Sequence, residues 1–295
     1  MKYKDAAAFR MALEQRLKDR AGNDGAQLAR DRKRVAFDRL LVRLIEVAKG
    51  RWLLKGGFAL ELRLAARARS TKDIDIEWRA EENELLDALL DAARHDAGDF
   101  FVFTIERAGI PEDRLGGSHR FRASASLAGR PFETFLLDVG FRSDDALSVE
   151  TLQTDALLDF AGIEPIEIDA VPLALQIAEK LHAYTRTYEG QRPSTRTKDL
   201  VDLALIAELS SLDAATLHRE IETIFAIRKT HARPSTVPSP PADWSVPYRR
   251  LAKEVGAPDD LEAGHRAAAA LLDPLLAGEI SSGKWSPTER RWTSL

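Results

Sequence analysis

Residues 53 to 78 read LLKGGFALELRLAARARSTKDIDIEW, and this stretch decides the fold. The apolar run Trp52-Leu53-Leu54 ends at Lys55 and the Gly56-Gly57 pair, and Phe58 to Leu64 has good helix propensity, so the spacing predicts strand, glycine turn, helix. Ile74, Ile76 and Trp78 then alternate with Asp73, Asp75 and Glu77, the period of two expected of a strand with one buried face. Asp73 and Asp75 therefore share the other face. A glycine turn at a helix start lets backbone N–H groups approach an anion closely, and the helix dipole favours negative charge there. Two carboxylates on one strand face can hold Mg²⁺, which takes carboxylates together with substrate phosphates. A phosphate seat, one helix, then a carboxylate pair on the next strand is the order nucleotidyl transfer requires, although each half alone is usually a plain turn or a solvated face.

Outward from this stretch, Phe37, Leu40, Leu41, Leu44, Ile45 and Ala48 fall at helical spacing before it. After it, residues 81 to 95 read as a helix and runs at 100 to 107, 118 to 127 and 132 to 141 as strands, which makes this part α/β. Residues 142 to 170 are turn-rich. Pro172 stands where a first helical residue often does, leading a helix through Ile177, Leu181 and Tyr184, and further helices follow around Leu200 to Ile206 and Leu217 to Arg228. Residues 232 to 247 hold five of the thirteen prolines and read as an extended loop, residues 261 to 276 as a last helix, and the tail SSGKWSPTERRWTSL as mobile. The simplest division is an α/β domain with N-terminal helices over 1 to 160 and a helical domain over 161 to 295.

Composition narrows the chemistry. The 295 residues are 44% hydrophobic and 31% charged, with no apolar stretch near the roughly 20 residues of a membrane helix and no secretory leader pattern, so a cytoplasmic globular protein is expected. The absence of cysteine removes thiolate nucleophiles and zinc-thiolate sites. Net charge is −4, yet residues 1 to 51 carry 14 Lys and Arg against 7 Asp and Glu. Arg30, Arg32, Lys33, Arg34, Arg39 and Arg43 are thus an expected RNA contact, the alternative being a solvated helix face. The chain has six histidines without HExxH spacing, and neither GxSxG nor a P-loop, so zinc proteases, hydrolase elbows and Walker-type ATPases gain no support.

Two further groups could carry chemistry. Asp138 lies within PFETFLLDVGF, where a carboxylate among Phe, Leu and Val would be costly without a cation or hydrogen bonds, so it is the candidate third metal ligand. Lys180 in IAEKLHAY stands at the border of a helix's apolar face, within reach of a triphosphate or else as a snorkelling surface lysine. Asp199 and Asp202, three apart in RPSTRTKDLVDL, could orient Lys180, act as a base or bind the incoming substrate.

KGGFALELR at 55 to 63, RSTKDIDI at 69 to 76, Asp138, EKLHA at 179 to 183 and TKDLVDL at 197 to 203 together resemble the AbiEii/AbiGii family of nucleotidyltransferase toxins, in the polymerase-β-like superfamily that includes the MenT-like toxins. The resemblance covers roughly residues 50 to 205, in family order. It implies a polymerase-β-like nucleotidyltransferase N-terminal domain with a mostly α-helical C-terminal domain, using Mg²⁺ and an NTP. By that pattern Gly56 and Gly57, with Lys55 beside them, would bind nucleotide phosphate, Asp73, Asp75 and Asp138 would hold metal, Lys180 would contact the triphosphate, and Asp199 or Asp202 would complete the catalytic set. The implied function is a toxin of a toxin–antitoxin or phage-defence pair, with a cognate antitoxin, that transfers a nucleoside monophosphate to RNA, with the tRNA 3′ end as the expected acceptor. The alternative acceptor is a protein or a small molecule such as an aminoglycoside. Ser70 and Thr71 are candidate modification sites, since a phosphate there would set negative charge beside Asp73 and Asp75.

Overall fold

A computed structural model describes residues 1–109, 118–141, 148–186 and 196–293, and it divides into two compact units. The first comprises Met1–Arg63 and Ser70–Val171, the second Leu64–Arg69 and Pro172–Leu295.

The first unit opens with helices α1 (Ala6–Ala21) and α2 (Gly25–Ala48). Asp5 and Asp24 cap them, their carboxylates accepting from the N–H groups of Ala8 and of Ala26 and Gln27, which satisfies donors that a helix start leaves free. The apolar stripe read from Phe37 onward is the buried face of α2, and the Phe37 ring meets Phe58 and Phe135 edge-on at 5.0 and 4.8 Å. Strand β1 (Trp52–Lys55), helix α3 (Gly56–Leu64), strand β2 (Asp73–Trp78) and helix α4 (Leu85–Arg94) follow, then strands β3 (Phe101–Gly109), β4 (His119–Leu127), β5 (Arg130–Phe141), β6 (Glu150–Gln153) and β7 (Glu167–Ala170). They form one sheet in the order β3-β4-β5-β2-β1-β7-β6. It is mixed: β2 runs parallel to β5 and antiparallel to β1. Ile74, Ile76 and Trp78 are fully buried on one face of β2, as the alternation requires.

The second unit is mostly helical: α5 (Leu173–Thr185), α6 (Thr197–Leu209), α7 (Ala214–Arg228), α8 (Ser245–Glu254) and α9 (Leu261–Leu276), with a small sheet of β8 (Leu212–Asp213), β9 (Lys284–Ser286) and β10 (Arg291–Thr293). Pro172 caps α5 rather than opening it.

Three readings of the sequence are corrected. The tail is ordered through Thr293 as the hairpin β9-β10, because Trp285 and Trp292 pack edge to face at 5.6 Å and donate their ring N–H groups to the carbonyls of Ala207 and Leu271. Within 142 to 170 two strands form, and the alternation of Glu167-Ile168-Asp169-Ala170, exposed and buried by turns, was the available signal; residues 142–147 lie outside the described ones. The proline-rich loop ends early, since α8 begins at Ser245.

The basic N-terminal segment is largely consumed inside the first unit. Arg43 is fully buried and grips Asp99 with two hydrogen bonds of 2.6 and 2.8 Å, and Arg39, 3% exposed, pairs with Asp38 and Asp99. Arg34 is bound to Glu61 and Asp155, and Arg32 to Glu14 and the Phe132 carbonyl. Counting charges along the chain overstates the field available to a phosphate backbone, because cations paired within the fold are already neutralised.

Candidate active site

Two polar clusters, one in each unit, hold the residues singled out from the sequence. In the first unit, sheet register sets the geometry. Arg120 pairs with Asp138 across β4 and β5, Asp138 with Asp75 across β5 and β2, and Asp75 with Lys55 across β2 and β1. Four charged residues thus form one row across four strands, in the order Arg120, Asp138, Asp75, Lys55. Cross-strand partners project to the same face about 5 Å apart, and Asp73, two residues from Asp75, shares that face. Asp75 and Asp138 are distant in the chain; parallel pairing of β2 and β5 makes them neighbours.

Gly56, the first residue of α3, lies against Asp75. Its φ is +70°, and a Cβ placed there would fall 1.9 Å from Asp75 Oδ2, so only glycine fits. The α3 N-terminus is therefore beside a carboxylate, where the dipole favours negative charge. Asp138 is 4% exposed and accepts two hydrogen bonds from Arg120, Nε to Oδ1 at 2.7 Å and Nη2 to Oδ2 at 2.9 Å. The Arg120 pKa is raised, first by that bonding to Asp138 and further by the charges of Asp73 and Asp75, so all three carboxylates act on one guanidinium. Lys55 forms its ion pair with Glu77, and its ammonium rests over Gly140, where a Cβ would stand 2.7 Å from Nζ. Thr71 is 7% exposed and donates its hydroxyl hydrogen to the Asp73 carbonyl, whereas Ser70 is exposed.

These donors suit Mg²⁺ in kind, being carboxylate oxygens on one face. Among the described residues, however, no three Asp, Glu or His side chains are gathered as a metal cage. Asp138 is committed to Arg120 instead.

In the second unit Lys180, on α5, donates to Asp202 Oδ2 at 2.6 Å and lies 3.4 Å from Asp199 Oδ1, both on α6. Asp202 has no exposure and also accepts from Arg69, Nε to Oδ1 at 3.0 Å and Nη2 to Oδ2 at 3.1 Å. Burial pushes the Asp202 carboxyl up, but the Lys180 ammonium and Arg69 guanidinium outweigh it and hold the pKa below the usual carboxylate range. Arg196 Nε stands 2.8 Å from Asp199 Oδ2. Of the roles open to Asp199 and Asp202, this geometry favours orienting Lys180. Residues 192–195 of the same sequence motif lie outside the described residues.

Arg120, Arg69 and Glu77 carry much of this geometry and were not singled out from the sequence. The alternation in HRFRASASL marks Arg120 as lying on a polar strand face, but nothing local names its partner.

A family model described as "Nucleotidyl transferase AbiEii toxin, Type IV TA system" matches residues 39–276. The chain belongs to the AbiEii family. AbiEii membership supplies the coarse activity: a nucleotidyltransferase toxin of a type IV toxin–antitoxin system, with an NTP as substrate and an antitoxin as its counterpart. The fold is similar to that of MenT4, a nucleotidyltransferase toxin from Mycobacterium tuberculosis H37Rv, with a TM-score of 0.57 at 20% identity over 90% of this chain and 89% of that chain. JHP933 from Helicobacter pylori is similar at a TM-score of 0.46 and 14% identity, over 84% of this chain and 93% of that one. Among curated proteins no match is found. No described helix is long and apolar enough to cross a membrane.

Proposed function

We propose that this AbiEii protein is a Mg²⁺-dependent toxin of the cytoplasm that transfers a nucleoside monophosphate from an NTP to an RNA hydroxyl, the tRNA 3′ end being the acceptor. The hydroxyl oxygen attacks the α-phosphorus, the bond from that phosphorus to the bridging oxygen breaks, and pyrophosphate leaves. Asp73, Asp75 and Asp138 would hold the metal, which when bound would supply positive charge against the charge developing in the transition state. Asp138 also takes the proton of the attacking hydroxyl. Gly56 and Gly57 at the start of α3 admit a phosphate close to the backbone, with Lys55 as a cation beside them. Lys180, oriented by Asp199 and Asp202, supplies positive charge for the triphosphate.

The observation that carries this reading is the row that sets Asp138 beside Asp75, next to a glycine at which a Cβ would collide with the Asp75 carboxylate. The test is incubation with Mg²⁺, total tRNA and each α-³²P-labelled NTP in turn, beside Asp75→Asn, on a denaturing gel. Label in the tRNA band only with intact Asp75 is expected. Label in no RNA with any NTP would overturn the acceptor and direct the search to proteins and small molecules in cell extract.

A further inference from the structure

We propose that Arg120 is a positioning residue that occupies the metal's place on Asp138, so that a divalent ion binds only by displacing the guanidinium. The inference rests on the reading of Asp73, Asp75 and Asp138 as metal ligands. Three observations lead to it. Asp138 is nearly fully buried, and a carboxylate in that position must keep a cation or hydrogen bonds at all times; Arg120 donates two of them. The planar fork engages both Asp138 oxygens, one hydrogen bond on each, and sets a fixed cation where a metal ion spanning the two oxygens would have to compete with it. The Arg120 side chain is 30% exposed, so solvent borders it and it can swing out without leaving a cavity.

The opposite end of the row behaves differently. Lys55 could have neutralised Asp75, its register partner, but it is engaged by Glu77. Arg120 forks onto Asp138, whose neighbour across the β2–β5 register is Asp75, so it sets positive charge at one end of the carboxylate row. A divalent ion offers more charge to the same oxygens, and the free energy of breaking the Arg120 fork is subtracted from its affinity. Arg120 thereby raises the metal concentration at which the carboxylates close into a cage, and it protects Asp138 when no metal is bound.

The experiment uses the full chain without NTP or RNA and measures Mn²⁺ binding by electron paramagnetic resonance, with thermal unfolding in parallel. Arg120→Gln should bind Mn²⁺ at least tenfold more tightly than the unaltered protein. Its metal-free unfolding temperature should be lower, and its gain on adding Mn²⁺ larger. Arg120→Lys, which keeps the charge but cannot form the fork, should fall between and serves if the glutamine variant does not fold. Equal or weaker Mn²⁺ binding in both variants overturns the proposal and leaves Arg120 as a fixed support for Asp138. An Asp75→Asn control separates the two ideas: if it binds Mn²⁺ as the unaltered protein does, the metal reading itself fails.

Discussion

The sheet face of the first unit and the α5–α6 cluster of the second are both built from paired charges, yet their balance is opposite. On the sheet, Asp73, Asp75, Glu77 and Asp138 outnumber Lys55 and Arg120. In the helical unit, Lys180, Arg69 and Arg196 outnumber Asp199 and Asp202. The excess there extends to Lys198, whose pKa is lowered by desolvation first and then by Arg196, against Asp199, with Arg69 and Lys180 adding to it. An acid-rich surface calls for a cation and a base-rich one for an anion. In the proposed reaction the acid-rich cluster would serve the divalent ion and the base-rich cluster the polyphosphate.

The sharpest way to break this division is to remove one acid. Asp75→Asn should lower nucleotidyl transfer about 1,000-fold, in line with losing a group that acts on transition-state charge, while unfolding temperature changes little. A transfer rate within tenfold of the original would show that the acid-rich face is not the reacting one.

Next in size is the base-rich cluster. Lys180→Met removes one of the two cations that pair with the fully buried Asp202 and leaves Arg69, and breaking a buried pair from one side costs about 3 kcal/mol or more. Denaturant unfolding should show that loss. If stability is unchanged, Lys180 is not structural and its pairing with Asp202 has no energetic weight.

Gly56→Ala tests the close approach that joins α3 to β2. The backbone conformation and the overlap with Asp75 together should cost about 2 kcal/mol and displace the carboxylate, so transfer should fall as well. An active, stable alanine variant would mean that Asp75 moves freely.

Smallest within the first pH unit below neutrality is an effect confined to the helical unit. His182, buried beside Arg228, Thr230 and His231, has its pKa pushed down to about 3, by desolvation first and then by the Arg228 charge. Its neutral form is the one the fold holds, so its contribution is complete above the ordinary value near 6.5. Below that the unfolded chain gains a proton that the folded chain refuses, and stability should fall by about 1 kcal/mol per pH unit toward pH 3. Unfolding curves at pH 7, 6 and 5 check this, with His182→Gln expected to flatten the trend. The depressed Asp202 gives the same sign at lower pH, its stabilisation being lost only as pH falls through values below the usual carboxylate range.

Much of this was legible without coordinates. The glycine turn, the Asp73 and Asp75 face, the strand of Asp138 and the helices of Lys180 and Asp202 follow from local periodicity, and α9 spans the expected 261 to 276. The tail failed because two tryptophans in a short polar segment have no period to read; their burial depends on carbonyls that α6 and α9 bring to them. The burial of Arg39 and Arg43 was not legible because a helix period marks faces and says nothing of which carboxylate waits opposite.

What the sequence determined by itself is therefore which side chains share a face, since a repeat of two or of 3.6 residues is a local property of the backbone. The tertiary structure alone decided who stands across from whom: Asp138 beside Asp75 through the β2–β5 register, Arg120 on Asp138, and Arg69 on Asp202 across 133 residues. Strand order and register arise from closing one core over the whole first unit, and no short window of sequence contains that constraint.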